Sequence, residues 1–146
     1  MKLKALVVDD SRIMRTMVMR LLGESKLAEF EFTEAEDGAD ALRKFTANVP
    51  DIAFVDWNMP NMNGIDFVHK VRSNRETRHV PVVMVTSERT MGKMQDALDR
   101  AGASAYICKP FTVEELKQKL TKLIAAMPEK KEKPSGFFGK LMGDGA

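Results

Sequence analysis

Short apolar segments alternate with amphipathic segments along most of this 146-residue chain, and this alternation constrains its fold more than any other feature. The apolar segments are rich in Val, Ile and Phe, which indicates β-strands. Five strands are predicted, at residues 3–8, 30–35, 51–56, 80–86 and 104–108. Three nearly continuous apolar runs are typical of strands covered on both faces in a parallel sheet; they lie at 3–8, 52–55 and 80–85. The second strand alternates more and is predicted to lie nearer an edge.

Helical periodicity fills the segments between these strands. The predicted helices begin at Met14, cover residues 38–47, 64–72 and 91–101, and end with one that follows Thr112. Gly102 is a candidate left-handed C-terminal cap of the fourth helix. Thr112 and Glu115 form a capping box for the last helix, whose apolar face extends to Met127 and which Pro128 ends. This alternation predicts an α/β fold, a doubly wound five-stranded parallel sheet with right-handed crossovers.

Composition narrows the class of protein further. Hydrophobic residues make up 44% of the chain, a globular value, and the length suffices for one domain with a proper core. The 23 Lys and Arg nearly balance the 21 Asp and Glu, so nothing attracts the whole chain to nucleic acid or an anionic membrane. The single Cys108 excludes an intrachain disulfide and fits a reducing compartment. Asp9 and Asp10 interrupt the first apolar run too early for a signal peptide, and no run reaches the roughly 20 residues of a membrane span. We expect a cytoplasmic protein.

Polar side chains follow four of the five predicted strands at the point where each strand ends. Asp9 and Asp10 follow the first strand, and Asp56 ends the third. Thr86 ends the fourth strand, and Lys109 follows the fifth. Because the carboxyl ends of parallel strands meet at one edge of the sheet, these side chains are expected to lie together there.

Carboxylates that converge in this way repel one another, by about 4 kcal/mol for a pair at 4 Å and an effective dielectric constant near 20. A divalent cation would relieve the repulsion, and ligands that are all oxygen atoms favour Mg²⁺ over Zn²⁺. Lys109 supplies a point charge suited to a phosphoryl oxygen, and Thr86 supplies a hydroxyl donor. Asp56 is then a candidate nucleophile that forms an aspartyl phosphate.

A simpler interpretation exists for each carboxylate taken alone. An Asp that follows a strand is commonly a turn residue, and either Asp10 or Ser11 could cap the first helix. That interpretation explains one carboxylate well, but it does not explain acids, a hydroxyl and a Lys-Pro pair on four separate strand ends.

Four segments of the chain together resemble the receiver domain of two-component response regulators, and most of all its single-domain CheY-like chemotaxis regulators. The segments are VVDDS, FVDWNMPNMNG, VMVTSE and GASAYICKPF, and the resemblance covers about residues 3–127. It implies a flavodoxin-like (βα)5 fold with the strand order 2-1-3-4-5. It divides the chain into a receiver domain, 1–127, and a charged linker with a short apolar tail, 128–146.

The resemblance also implies a role for each site residue. Asp56 accepts a phosphoryl group from a histidine kinase, and Lys109, in a cis peptide bond with Pro110, pairs with that group. Thr86 hydrogen-bonds the phosphoryl oxygen and draws Tyr106 inward. The implied Mg²⁺ ligands are Asp9, Asp10, Asp56 and the backbone carbonyl of Asn58. Asn58 and Glu88 flank the site and are expected to tune the lifetime of the phosphate.

The implied partner of the phosphorylated state is a protein target, possibly of the flagellar motor, that binds the face of helix 4, strand 5 and helix 5. We therefore expect a phosphorylation-operated switch that is not an enzyme beyond its own phosphorylation and dephosphorylation. A phosphoryl carrier or phosphate sink is the alternative, and a metal-dependent phosphatase is the third hypothesis. A monomer that does not bind nucleic acid is expected.

Several residues have ordinary structural interpretations. Tyr106 could be half-buried core, and Cys108 is predicted to be an inert buried thiol. Met94 is expected in or near the core or on an adaptable binding face, and so is Met91. The two histidines are predicted to lie at the surface; they are His69 and His79.

The tail departs from the family pattern. Its apolar residues are Phe137, Phe138, Leu141 and Met142. It is either a flexible end or a tethered peptide that docks on a partner or on the domain's own output face.

Overall fold

The computed structural model describes residues 1–87 and 90–128. They form a five-stranded parallel sheet in the order β2-β1-β3-β4-β5, with helices on both faces, which confirms the predicted fold class and strand order. The strands are β1 (Lys2–Val8), β2 (Glu29–Ala35), β3 (Ile52–Val55), β4 (Val82–Thr86) and β5 (Ala105–Cys108). β2 pairs with β1 alone, so the second strand lies at an edge as predicted.

The register of the sheet aligns the carboxyl ends of the strands. Val8 of β1 pairs with Ala35 of β2 and with Val55 of β3. On the other side of the sheet, Thr86 of β4 pairs with Cys108 of β5. Residues that follow these positions therefore emerge together at one edge.

The helices begin at polar caps in most cases. Their bounds are α1 (Arg12–Ser25), α2 (Gly38–Ala47), α3 (Gly64–Ser73), α4 (Met91–Gln95) and α5 (Val113–Ala125). Four caps accept a backbone N–H in the first turn, and they are Ser11, Asp37, Asn63 and Thr112. Ser11 caps α1, which leaves the neighbouring Asp10 available for another role.

Two hydrophobic clusters cover the two faces of the sheet. β1 contributes to both, because Leu3 and Val7 face one cluster while Leu6 and Val8 face the other. α1 and α5 cover the first face, where Leu22 of α1 and the buried side of α5 pack against the sheet. α2 and α3 cover the second face. This two-sided burial is the reason why the central strands are nearly continuous apolar runs.

The fourth helix differs from its prediction. The expected single helix over 91–101 is a short α4 followed by a π-helical segment, Asp96–Ala101. Gly102 ends it with a φ of 88°, the predicted left-handed cap. A π-helical turn closes over one more residue than an α-helical turn, so the apolar face shifts. Ala97 is buried, whereas Leu98 is 38% exposed.

Other predictions have mixed outcomes. The prediction of Met91 in or near the core is wrong, since Met91 is 71% exposed, whereas Met94 packs against the core. α5 has the predicted capping box but ends at Ala125, and Met127 still packs against the core beyond it. Cys108 is half-buried rather than buried.

Both histidines, His69 and His79, are exposed as predicted. Among the helices of the described ranges, none is long and apolar enough to cross a membrane. The predictions for Glu88 and for the tail at 129–146 lie outside the described residues.

Candidate functional site

The sheet brings the predicted acidic residues together at its carboxyl edge. Asp9 and Asp10 follow β1 and Asp56 follows β3, and carboxylate oxygens of these three residues lie within 4.8 Å of one another. Asp9 is buried, Asp56 is half-buried and Asp10 is exposed. The cluster therefore opens to solvent on the side of Asp10.

Lys109 places an ammonium group between two of these carboxylates. Its Nζ lies 3.0 Å from Asp9 Oδ2 and 3.5 Å from Asp56 Oδ2. The backbone N–H of Lys109 donates to the Thr86 carbonyl at 2.8 Å, and the peptide bond to Pro110 is cis, as expected. Lys109 thus offsets part of the repulsion among the carboxylates. The sequence analysis had assigned this effect to a divalent cation alone.

Asp9 is fixed by four groups from three different parts of the fold. Its Oδ1 accepts the N–H of Ser11 at 2.9 Å while its Oδ2 accepts Lys109. Its own N–H donates to the carbonyl of Ala35 on β2 at 3.1 Å. The guanidinium of Arg15 on α1 donates to the Asp9 carbonyl at 2.6 Å. Every polar end of Asp9 is therefore held in place.

Arg15 is a residue that the sequence analysis missed. Besides the Asp9 carbonyl, it binds Glu34 on β2, with 2.9 Å between Nε and Oε1. No motif marks this arginine in the sequence, because the contact depends on how α1 lies over the ends of β1 and β2.

Asp56 is in a less favourable environment for its charge. Burial raises its pKa and is the largest effect, and the negative charge of Asp9 raises it as well. The charge of Lys109, a hydrogen bond with the Thr86 side chain and the Trp57 N–H, which lies 2.7 Å from Oδ1, act in the opposite direction. The net result is a pKa above the usual value for aspartate.

The backbone around Asp56 is equally constrained. The Asp56 N–H donates to the Val8 carbonyl at 2.9 Å, and the Gly64 N–H donates to the Trp57 carbonyl at 2.8 Å. A Cβ atom on Gly64 would lie 2.1 Å from the Asp56 carbonyl oxygen, so only glycine fits there. The loop after β3 therefore returns to the strand end that carries Asp56.

Thr86 and Tyr106 lie behind the acidic cluster. Thr86 is fully buried. Tyr106 is only 3% exposed, so it is buried more deeply than the half-buried core position considered in the sequence analysis. The rings of Tyr106 and Trp57 meet edge-on, with centroids 6.5 Å apart, and Lys93 Nζ lies 5.4 Å from the Trp57 ring centroid. Trp57 thus connects the neighbourhood of Asp56 to β5 and α4, a role that the sequence analysis missed.

The donor set fits a hard divalent cation. The three clustered side chains offer only carboxylate oxygens, the ligands that Mg²⁺ prefers, and the exposed position of Asp10 leaves access for water and substrate. Asn58 is exposed two residues after Asp56, at the start of the loop. Its carbonyl as a ligand stays a prediction, as do the chemical roles of the other site residues.

Comparison with known proteins agrees with the fold. Residues 5–121 match the family described as "Response regulator receiver domain". The chain is 44% identical over 119 residues to the chemotaxis protein CheY1 of Helicobacter pylori, covering 81% of this chain and 94% of that protein. It is 40% identical over 121 residues to CheY-3 of Vibrio cholerae, covering 83% and 91%.

Solved structures are similar as well. The chemotaxis protein CheY4 of Vibrio cholerae has a TM-score of 0.71 and 35% identity, covering 81% of this chain and 95% of that one. The receiver domain of the putative regulator NarL of Mycobacterium tuberculosis has a TM-score of 0.74 and 30% identity, covering 86% and 98%. With the parallel sheet, the three clustered acids and the bridging lysine at its edge, these similarities identify the chain as a member of the response regulator receiver domain family.

Proposed function

We propose that this receiver domain is a phosphorylation-operated switch that takes a phosphoryl group from a histidine kinase onto Asp56 and then binds a protein target in chemotaxis. The arrangement that carries the proposal is Asp56 on a rigid strand end, 3.5 Å from the Lys109 ammonium and beside the Thr86 hydroxyl. Similarity to chemotaxis proteins of the CheY type supports the pathway.

The chemical step needs an ionised, well-placed carboxylate. The Trp57 N–H holds Oδ1 of Asp56, so Oδ2, on the side of Lys109, is the oxygen that attacks phosphorus. A bond forms between Oδ2 and phosphorus as the bond from phosphorus to the kinase histidine nitrogen breaks, and the leaving imidazole takes up a proton. Lys109 and the Thr86 hydroxyl then bind oxygens of the transferred group.

The acidic cluster would hold the divalent cation that this transfer requires. Asp9, Asp10, Asp56 and the Asn58 carbonyl are the proposed ligands, and bound Mg²⁺ would neutralise negative charge on the carboxylates and on the incoming phosphoryl oxygens. Burial and the charge of Asp9 raise the pKa of Asp56, and added positive charge would favour its ionised form.

The output step follows from charge. The phosphoryl group carries about 1.5 to 2 negative charges in place of the single charge of the Asp56 carboxylate, and its oxygens compete with Asp9 for the Lys109 ammonium. The Thr86 hydroxyl gains a new acceptor, and β4 and β5 transmit the change to Tyr106, whose ring contacts Trp57. A groove of about 210 Å³ lies over this region, lined in part by Met94, Tyr106 and Pro110, and is the proposed binding surface on α4, β5 and α5.

The test of the proposal is phosphorylation followed by target binding. Asp56→Asn should abolish incorporation of phosphate from a labelled histidine kinase, with Asp99→Asn, an exposed site, as the matched control. Normal labelling of the Asp56 variant would refute the nucleophile assignment.

Target binding decides between the switch and its alternatives. An acyl-phosphate mimic should raise the affinity for the target severalfold or more in the wild type and not in Asp56→Asn. Labelling without any change in target affinity would favour a phosphoryl carrier or sink. Turnover of an exogenous phosphate ester would favour a phosphatase, and we expect none.

A further inference from the structure

The loop between β3 and α3 is held in its middle by the start of α2, a contact that has no part in the chemistry above. Asn61 Nδ2 donates to Asp37 Oδ2 at 2.7 Å. Next to it, the Gly38 N–H donates to the Met62 carbonyl at 3.0 Å. These two hydrogen bonds join the N-cap and the first residue of α2 to two neighbouring residues of the loop. The four residues are called the Asp37 clamp below.

The conformation of each partner suits the clamp. Asn61 has a φ of 68°, in the left-handed region that asparagine tolerates better than most residues. A Cβ atom on Gly38 would lie 2.4 Å from the Met62 carbonyl oxygen, so only glycine allows this close approach. The loop therefore has little freedom to shift while the clamp is closed.

Asp37 uses both carboxylate oxygens, and this separates the clamp from ordinary helix capping. Oδ1 accepts the Asp40 N–H at 2.7 Å and so caps α2, a task that serine would perform as well. Oδ2 accepts the Asn61 amide, a bond to the loop that a serine at this position would not reproduce. These bonds hold the pKa of Asp37 below its usual value, with the Asp40 bond as the larger cause and the Asn61 bond next.

The clamped loop carries Asn58, three residues before Asn61. The two ends of the loop meet just beyond β3, since the Gly64 N–H binds the Trp57 carbonyl and the Trp57 N–H binds the Asp56 side chain. The clamp adds a third anchor between these ends, from a different element of the fold. These hydrogen bonds restrain the backbone between Trp57 and Asn61 and thereby limit the directions that its carbonyl groups can take.

We propose that the Asp37 clamp positions the Asn58 carbonyl toward the acidic cluster, so that Asp37 and Asn61 are positioning residues for a divalent cation there. This inference rests on the proposed function, because it takes the cation site as given. It extends the site to a neighbouring element, since α2 itself supplies none of the proposed ligands.

Two variants isolate the contact. Asn61→Gly keeps the left-handed backbone conformation and removes the amide, while Asp37→Ser keeps the cap of α2 and removes the oxygen that binds Asn61. Each should lower Mg²⁺ affinity about tenfold, at the lower end of the effect of residues that orient ligands. The double variant should lose no more than either single variant, because both remove the same bond.

The fluorescence of Trp57, the single tryptophan, reports the Mg²⁺ titration. Asn74→Gly is the matched control. Asn74 is an exposed asparagine after α3 whose side chain accepts the Glu76 N–H, and the Mg²⁺ affinity of this variant should equal that of the wild type. Without Mg²⁺, amide hydrogen exchange over residues 58–62 should be faster in Asn61→Gly and Asp37→Ser than in the control. This readout does not depend on phosphorylation.

The outcomes separate the two proposals. Wild-type Mg²⁺ affinity in both clamp variants would overturn the positioning role and leave the proposed function intact. No Mg²⁺ binding and no phosphate labelling in the wild type itself would overturn the proposed function and the clamp's role together. If one variant fails to fold, the same comparison with the other variant decides.

Discussion

At the scale of single residues, the site is a balance of opposed electrostatic effects around Asp56. Burial and the charge of Asp9 disfavour its ionised form, whereas Lys109, Thr86 and the Trp57 N–H favour it, and burial dominates. A group whose pKa is higher in the folded state than in the unfolded state binds its proton more tightly when folded. The ionised carboxylate therefore lowers the stability of the fold at neutral pH.

Asp56→Asn should accordingly raise the unfolding midpoint at neutral pH in the absence of Mg²⁺. The gain should shrink as the pH falls through the pKa of Asp56 in the folded state, because the wild-type carboxyl then becomes neutral too. Thermal unfolding at about pH 7 and about pH 4 measures this difference. A gain that is equal at both pH values, or also present in the exposed Asp99→Asn, would contradict the explanation.

Lys109 is the second residue whose effect can be predicted from its contacts. Lys109→Ala leaves the carboxylates of Asp9 and Asp56 without their shared ammonium, and about 1–3 kcal/mol of stability should be lost. We expect that the variant still accepts phosphate and that its target affinity no longer rises on phosphorylation. Binding titrations with and without a phosphate mimic test this, with exposed Lys70→Ala on α3, away from the proposed binding surface, as control. A normal rise in affinity would contradict the relay.

At the scale of elements, α3 is tied to the connection after the π-helical segment by one arginine. Arg72 donates to the carbonyls of Gly102 at 2.9 Å, Val80 at 2.7 Å and Arg78 at 3.0 Å. Burial lowers the pKa of Arg72 from its ordinary value, yet a guanidinium stays protonated at neutral pH. Its five donors in a fixed plane suit three carbonyls from two segments, at Arg78 and Val80 before β4 and at Gly102.

Arg72→Ala should therefore cost about 2–3 kcal/mol of stability, because several carbonyls lose a charged donor at once. Arg72→Lys should recover only part of the loss, since an ammonium cannot reach all three positions. Urea unfolding measures both, and exposed Arg75→Ala, three residues away, should change stability by less than about 0.5 kcal/mol. Equal effects at the two arginines would show that the network does not stabilise the fold.

The fourth helix shows where prediction from the sequence fails at this scale. The pattern of Met91, Met94, Leu98 and Ala101 fits an α-helix, and the cap at Gly102 was correctly predicted. A π-helical turn holds one extra residue without changing which residue types are present, so the periodicity does not reveal it. The pattern therefore places Leu98 on the buried face, where the structure has Ala97 instead. Strand positions, with a period of two, were placed to within two residues at each end.

At the scale of the whole molecule, the match to the receiver domain family ends at residue 121, and the tail lies beyond it. Deletion of residues 129–146 should change target affinity in at least one phosphorylation state, as expected for a tethered docking peptide. Binding titrations of the full-length and shortened proteins measure this. A full-length protein with both Phe137→Ser and Phe138→Ser tests whether the apolar residues of the tail are responsible. Unchanged affinity in both states would refute the docking hypothesis.

The sequence by itself determined the order of strands and helices along the chain, the capping box of α5, the cap at Gly102 and the residues at the strand ends. These follow from local rules: periodicity reports burial, and polar residues after an apolar run mark the end of a strand. Even the proximity of Thr86 and Lys109 to Asp56 can be predicted once the sheet is known to be parallel, because the register aligns the strand ends.

Only the tertiary structure decided which ion pairs and hydrogen bonds the charged side chains make. Three contacts join residues from different segments of the fold: the Lys109 ammonium between Asp9 and Asp56, Arg15 with the Asp9 carbonyl, and Asn61 with Asp37. Each of these contacts forms only if the helices lie within a few ångströms of their observed positions and the side chains point toward one another. Hydrophobic periodicity fixes which face of an element is buried, but it does not fix how far along its partner that element lies.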